Sequence, residues 1–193
     1  MEGKKHRGIA YPHIAEILSG YSHDNLVSIE IGCGSKPYKP FIKGIYYGTD
    51  IRSDLYEGEA PDIFCSGEAL PFKGSSVGLV FTVATLYQIP NCRKVFKEAY
   101  RVLKPGGKFL VFDYNWHVSR YLQKKEHGHR HKFTPLSLWY LCVKNGFKPK
   151  WIFYLPRSET RLGRLFDRLG VVGNLIRHLV AGSLVFLGEK RIG

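Results

Sequence analysis

Acidic side chains are scarce in this sequence: 16 Asp and Glu stand against 29 Lys and Arg, for a formal charge of +13. Such a balance attracts polyanions, whether nucleic acid, an anionic membrane surface or phosphorylated small molecules. A solvated basic surface with no dedicated partner is the other reading. The positive residues are spread over Lys4–Arg7, Lys36–Lys43, Arg93–Lys108, Arg120–Lys132 and Arg157–Arg168, not gathered in one block. Paired cysteines are missing too. Cys33, Cys65, Cys92 and Cys142 are scattered with no C-x-x-C, which excludes metal-knuckle spacing and argues against a disulfide framework. Long apolar runs are also lacking. Met1–Arg7 is basic and polar, Ile9–Leu18 is broken by Pro12, His13 and Glu16, and Val171–Gly188 by Asn174, Arg177 and His178. Neither a secretory leader nor a bilayer span is expected, so the chain reads as soluble and cytoplasmic.

What is present is enough apolar residue, 44% of 193, for one domain with its own core. From Leu26 to Asp113 short β-rich runs alternate with helical or loop segments, the pattern of a parallel sheet with crossovers. Expected strands are Leu26–Ile31, Ile45–Asp50, Asp62–Cys65, Val77–Val83 and Lys108–Tyr114. A helix is expected from Cys92, capped by Asn91, to Lys104, with Val95, Phe96, Ala99, Val102 and Leu103 on one face. Thr134-Pro135 reads as the cap and first turn of a second helix ending before Gly146. Strands at Lys148–Leu155 and Ser183–Glu189 would add an antiparallel edge. The fold class is α/β: a mostly parallel sheet with helices on both faces.

Open parallel sheets bind ligands at the carboxyl ends of their strands. The first such end is Glu30-Ile31-Gly32-Cys33-Gly34, whose glycines permit a tight turn and a close approach of backbone to ligand. The second is Asp50, placed to accept hydrogen bonds from ribose hydroxyls. A third glycine is missing, and Pro37 and Pro40 preclude the long helix whose N-terminus would hold a pyrophosphate. A nucleoside cofactor without pyrophosphate fits this better than a nicotinamide dinucleotide.

Glu30-Ile-Gly-Cys-Gly34, Tyr47-Gly-Thr-Asp50, Glu68-Ala-Leu-Pro-Phe72, Leu79-Val-Phe-Thr82, Leu86-Tyr-Gln-Ile89 and Glu98-Ala-Tyr-Arg-Val-Leu-Lys-Pro-Gly-Gly-Lys108 follow one another in order, with fainter echoes at Lys132-Phe-Thr-Pro135 and Asn145-Gly-Phe147. This ordered set resembles the class I, Rossmann-like S-adenosylmethionine-dependent methyltransferases, especially those acting on small molecules, quinones and lipids. The resemblance implies S-adenosyl-L-methionine as cofactor and a small-molecule or lipid acceptor. It further implies that Glu30, Gly32 and Gly34 line the methionine part, Asp50 holds the ribose, Ile51 packs on the adenine, Ser66 and Gly67 meet the adenine edge, and Thr82 lies beneath the methionine moiety. The whole chain, 1–193, would be one methyltransferase domain, with acceptor-side insertions in about 115–182. Three positions depart from the family pattern: Gly78 and Ser66 stand where acidic residues are common, and Gln88 where His is usual. The alternative function is a non-enzymatic or RNA-directed S-adenosylmethionine-binding protein, to which the basic charge points.

Methyl transfer requires orientation and exclusion of water more than a fixed catalytic residue. Tyr114 and His117 are candidate bases or lining residues of the acceptor pocket, and Trp116 a stacking surface or core cover. His127, His129 and His131 invite a metal, but the cations around them favour an acceptor-side loop, and no metal is expected. Arg161–Leu179 reads as a helix with Leu162, Leu165, Phe166 and Leu169 on one face and arginines beside them. Packing on the sheet, lying on an anionic membrane and contacting RNA are its three readings.

Overall fold

A computed structural model of the protein describes residues 6–8, 10–52, 56–114, 130–151 and 183–191. Its elements are β1 (His6–Arg7), α1 (Pro12–Tyr21), β2 (Val27–Ile31), β3 (Ile45–Asp50), β4 (Tyr56–Glu57), β5 (Ile63–Phe64), β6 (Val77–Val83), α2 (Cys92–Val102), β7 (Leu103–Tyr114), α3 (Pro135–Lys144), β8 (Phe147–Trp151) and β9 (Ser183–Lys190), with single 3₁₀ turns at Lys39–Phe41 and Leu86–Gln88. One seven-stranded sheet runs in the order β5-β3-β2-β6-β7-β9-β8. β5, β3, β2, β6 and β7 are parallel, and β9 inserts antiparallel between β7 and β8. Strand order reverses between β2 and β6, which makes the carboxyl ends there the switch point where such sheets bind ligands. β1 and β4 form a separate parallel pair.

Alternation along the strands divides the core between two faces. Ile29, Ile31, Val80, Phe109 and Val111 join α2 and α3 residues in one apolar cluster. Leu79, Phe81, Leu110 and Phe112 pack with Ile14, Ile17 and Leu18 of α1 in the other. Helices thus cover both faces of an α/β sheet, as the pattern predicts. The α1 helix is not among the sequence expectations. Its signals are Pro12 in the first turn and buried Ile14, Ile17 and Leu18 at helical spacing.

Two helix ends show what sets the boundaries. Asn91 caps α2 by accepting from the Lys94 N–H at 3.1 Å, and Thr134 and Ser137 form a reciprocal capping box on α3. α2 stops at Val102, short of the expected Lys104. Lys104 precedes Pro105, which disfavours helical backbone there, and Leu103 already pairs with Val77 in the sheet. Pro105–Gly107 then bulges out of β7 before Lys108 rejoins the ladder opposite Leu79. Gly78, one of the departures from the family pattern, has a local cause: a Cβ built there would meet Leu26 Cδ1 at 2.1 Å. The insertion 115–129, the continuation of the strand expected to Leu155 and the helix expected at Arg161–Leu179 lie outside the described residues. No helix of the described residues is long and apolar enough to cross a membrane.

The antiparallel edge is anchored by Phe147, fully buried with ring centroids 5.1 Å from Tyr100, 5.8 Å from Phe109 and 6.4 Å from Phe96. Phe147→Ala is expected to cost roughly 3–5 kcal/mol in urea denaturation, the range for truncating a buried aromatic ring. A loss below about 1 kcal/mol would mean that β8 does not share the main core.

Candidate functional site

The chain leaves β2 in a turn that only glycine adopts easily: φ is +72° at Gly32 and +52° at Gly34. Gly32 and Cys33 both donate their N–H to the Thr49 carbonyl, at 2.8 and 3.0 Å. Gly34 donates to Asp50 Oδ2 at 3.0 Å, and the Ile51 N–H reaches Asp50 Oδ1 at 2.7 Å. The turn is therefore folded over the end of β3, and Asp50 is held by backbone on both oxygens. About two lone-pair sites of its carboxylate remain for a ligand.

Two hollows flank this turn. One is lined on the α2 side by Ile31, Asp50, Ile51, Ser66, Gly67 and Ile89, among others. The second reaches down on the α1 side to Glu30, Cys33, Gly34 and Tyr38. Gly32, Tyr56 and Thr85 line both, so the hollows form one groove across the carboxyl ends of β2, β3 and β6. Seven of the eight expected site residues border this groove. Ile51 is 71% exposed, an apolar face open to a ligand. Ser66 Oγ accepts the Glu68 N–H at 3.1 Å, and a Cβ on Gly67 would strike Ile31 Cγ2 at 2.5 Å. The eighth, Thr82, is fully buried between β2 and β7, outside both hollows, its Oγ1 without a hydrogen-bond partner among the described residues. Val83, Ala84 and Thr85 line the groove in its place.

Glu30 is the unusual group. Its carboxylate is buried within the sheet, where the Tyr46 hydroxyl donates to it. Burial pushes its pKa up to about 8, with the charge of Asp50 adding to the rise and Tyr46 and Lys36 opposing it. At neutral pH this carboxyl is largely protonated.

The loop beyond Gly34 holds no long helix, as Pro37 and Pro40 require; side chains fix it instead. The Lys36 ammonium, itself buried, lies 2.6 Å from Asp62 Oδ1 and 3.4 Å from Glu59. Asp62 also accepts the Gly48 N–H at 2.7 Å. Burial opposes the Lys36 charge, but Asp62 and Glu59 outweigh it and raise the pKa above the ordinary lysine value. From the N-terminal side, the Gly8 N–H reaches Ser35 Oγ at 3.1 Å and the Tyr11 N–H reaches the Tyr38 hydroxyl at 3.3 Å. Lys36, Tyr46, Tyr56 and Thr85 were not legible as site residues, because their partners lie far away in sequence.

Of the acceptor-side candidates, His117 and Trp116 lie outside the described residues, and Tyr114 ends β7. Asp113, just before it, accepts the Tyr87 N–H at 3.2 Å and ties the loop after β6 to β7. Gln88 borders the α2-side hollow and donates to the Tyr87 hydroxyl at 2.8 Å. His127 and His129 are outside the described residues. His131 Nε2 lies 2.8 Å from the Ile89 carbonyl oxygen and 3.2 Å from that of Pro90.

The Glu30 environment sets a pH dependence. Its pKa is higher in the folded chain, so its contribution to stability is complete below the ordinary glutamate value and is lost as pH rises through about 8. Wild type is expected to lose stability relative to Glu30→Gln between about pH 5 and 8, measured as denaturation midpoints. Parallel profiles for the two proteins would place Glu30 in water.

Residues 29–111 match the family model described as a methyltransferase domain. A sterol 4-C-methyltransferase of Caenorhabditis elegans is 48% identical over 46 residues, covering 24% of this chain and 14% of that protein. A demethylmenaquinone methyltransferase of Symbiobacterium thermophilum is 29% identical over 131 residues, covering 63% of this chain and 52% of that protein. The chain thus spans about half the length of one of these curated relatives and far less of the other. The geranyl diphosphate C-methyltransferase of Streptomyces coelicolor, solved with Mg²⁺, geranyl diphosphate and S-adenosyl-L-homocysteine, has the same fold: TM-score 0.58 at 13% identity, covering 93% of this chain and 78% of that one. Residues 29–111 are thus similar to a methyltransferase domain, and the ordered motifs and the sheet order agree with the class I, Rossmann-like S-adenosylmethionine-dependent methyltransferases, which this chain resembles.

Proposed function

We propose that the protein binds S-adenosylmethionine in the groove over β2, β3 and β6 and transfers its methyl group to a small apolar acceptor. The observation that carries this is the pair of carboxylates at the two parts of one groove, Glu30 in the α1-side hollow and Asp50 in the α2-side hollow. Such a pair suits a ligand with an ammonium at one end and a ribose diol toward the other. Glu30 and the turn Gly32–Gly34 would hold the amino-acid part, Asp50 the ribose, Ile51 a face of the adenine, and Ser66 and Gly67 its edge. Thr85, beneath the turn, donates to the Gly32 and Val83 carbonyls at 3.2 and 2.9 Å and keeps the floor of the groove in place.

When bound, the cofactor supplies a methyl group already activated on a sulfonium. The chain's residues then have to orient the acceptor and keep water out, and proximity supplies much of the acceleration. A base is required only for an acceptor atom that carries a proton in its resting form. The apolar character of the acceptor is supported by the relatives, whose names assign them sterol and menaquinone-type acceptors. The RNA-directed alternative has only the net charge behind it.

Calorimetric titration with S-adenosylhomocysteine tests the site. Asp50→Ala is expected to weaken binding by about 10- to 100-fold, the cost of removing hydrogen bonds to a charged group. Gly32→Val should abolish it, since a Cβ there would lie 2.1 Å from Thr85 Cγ2 in a left-handed backbone. Equal affinity of wild type and Asp50→Ala would remove the ligand from this groove. Transfer of labelled methyl to quinone or sterol acceptors, reduced in Asp50→Ala and absent in Gly32→Val, tests the reaction itself.

A further inference from the structure

The helix α3 is apolar on more sides than its packing uses. Leu138 and Cys142 are buried in the main core, with Leu141 packed against them. Leu136, Trp139, Tyr140 and Val143 point the other way at i, i+3, i+4 and i+7, and are 73%, 40%, 52% and 40% exposed. Surface helices ordinarily turn polar residues outward. In Pro135–Lys144 only Ser137 and Lys144 depart from an apolar or aromatic composition.

The cations at this stripe belong to the helices themselves: Lys144 closes α3 and Arg93 lies on α2. Lys148 and Lys150 pair with Glu189 and Leu187 on the α1 side of the sheet, where Lys150 Nζ lies 2.9 Å from Glu189. Lys144 Nζ donates to the Tyr140 hydroxyl at 2.7 Å, and Arg93 of α2 is near enough to act on the same phenol. An apolar stripe holding a Trp and a Tyr, bordered by Lys144 and Arg93 in a chain of formal charge +13, is complementary to a surface that is anionic outside and apolar just beneath. The helix is also fixed in place: its capping box and its buried face hold the stripe outward before any partner arrives.

We propose that the outer stripe of α3 docks on an anionic lipid surface, with Leu136, Trp139 and Val143 entering the headgroup region and the flanking cations meeting lipid phosphates. The segment leading into α3 is hydrogen-bonded to the loop bordering the cofactor-side groove, through the Arg130 and His131 N–H groups on the Tyr87 carbonyl at 3.1 Å. Docking there would bring the groove's rim to the membrane, where apolar acceptors reside. The inference does not depend on methyl transfer, since lipid binding is measured without it.

The experiment is flotation of the full chain with vesicles of phosphatidylcholine alone and of phosphatidylcholine mixed with phosphatidylglycerol. Wild type should float with the mixed vesicles and not with the neutral ones. Leu136→Ser/Val143→Ser should weaken that binding by about tenfold or more while leaving the melting temperature and S-adenosylhomocysteine affinity unchanged. Equal binding of the double variant would assign the attraction to net charge and overturn the proposal. So would a wild-type dimer that the double variant converts to monomer with vesicle binding unaltered, since the stripe would then cover a second copy. Should the double variant fail to fold, brominated acyl chains decide. They must quench the tryptophan emission of wild type and quench Trp139→Phe less, and equal quenching of the two overturns the proposal.

Discussion

Three backbone N–H groups fix where the groove lies. Gly32 and Cys33 share the Thr49 carbonyl, and Gly34 takes one oxygen of Asp50. These bonds fold the end of β2 across the end of β3, beside the β2–β6 boundary where strand order reverses. In a fold of this type a helix commonly follows such a turn. Here Pro37 and Pro40 leave only one 3₁₀ turn, and ion pairs and hydroxyls take over its bracing role. Lys36 adopts a left-handed φ of 56°, uncommon outside glycine, and its side chain is held by the half-buried bond to Asp62. Asp62 in turn holds the Gly48 N–H, so the loop and β3 are tied by one carboxylate.

Much of this was legible in the sequence. β3 and β6 lie within the expected boundaries, because buried parallel strands read as short β-rich or apolar runs between turn residues. The antiparallel edge at β8 and β9 also agrees, as do the caps expected at Asn91 and Thr134. The end of α2 does not. Helical periodicity runs on through Leu103, and only the backbone restriction before Pro105, together with pairing to β6, cuts it short. β1 and β4 are two-residue strands and carry no periodicity to find. Within the site, the residues on strand ends and in the glycine turn were legible because topology dictates what stands there. Tyr46, Lys36 and Thr85 were not, since each matters through a tertiary partner: Glu30, Asp62 and the Gly32 carbonyl.

Excess positive charge is the feature that the fold does not consume. The acidic residues that the groove uses, Glu30 and Asp50, are set where backbone and Tyr46 hold them. The segment 130–151 has none at all. Charge asymmetry of this kind affects where a protein goes and what it approaches, not how it folds. It is consistent with the proposed cofactor groove on the carboxyl rim of the sheet and the proposed lipid-facing stripe of α3, joined through the loop after β6.

The account rests on Glu30 meeting a ligand ammonium inside the sheet, which calorimetry can read directly. At neutral pH the buried carboxyl is protonated, and a cation beside it favours the charged form, so binding must expel a proton. Titrating S-adenosylhomocysteine in buffers of different ionisation enthalpy should show release of about one proton. 5′-Methylthioadenosine, which lacks the amino-acid part, should bind without it. Binding heats that do not depend on the buffer for either ligand would contradict the placement of the amino-acid end at Glu30.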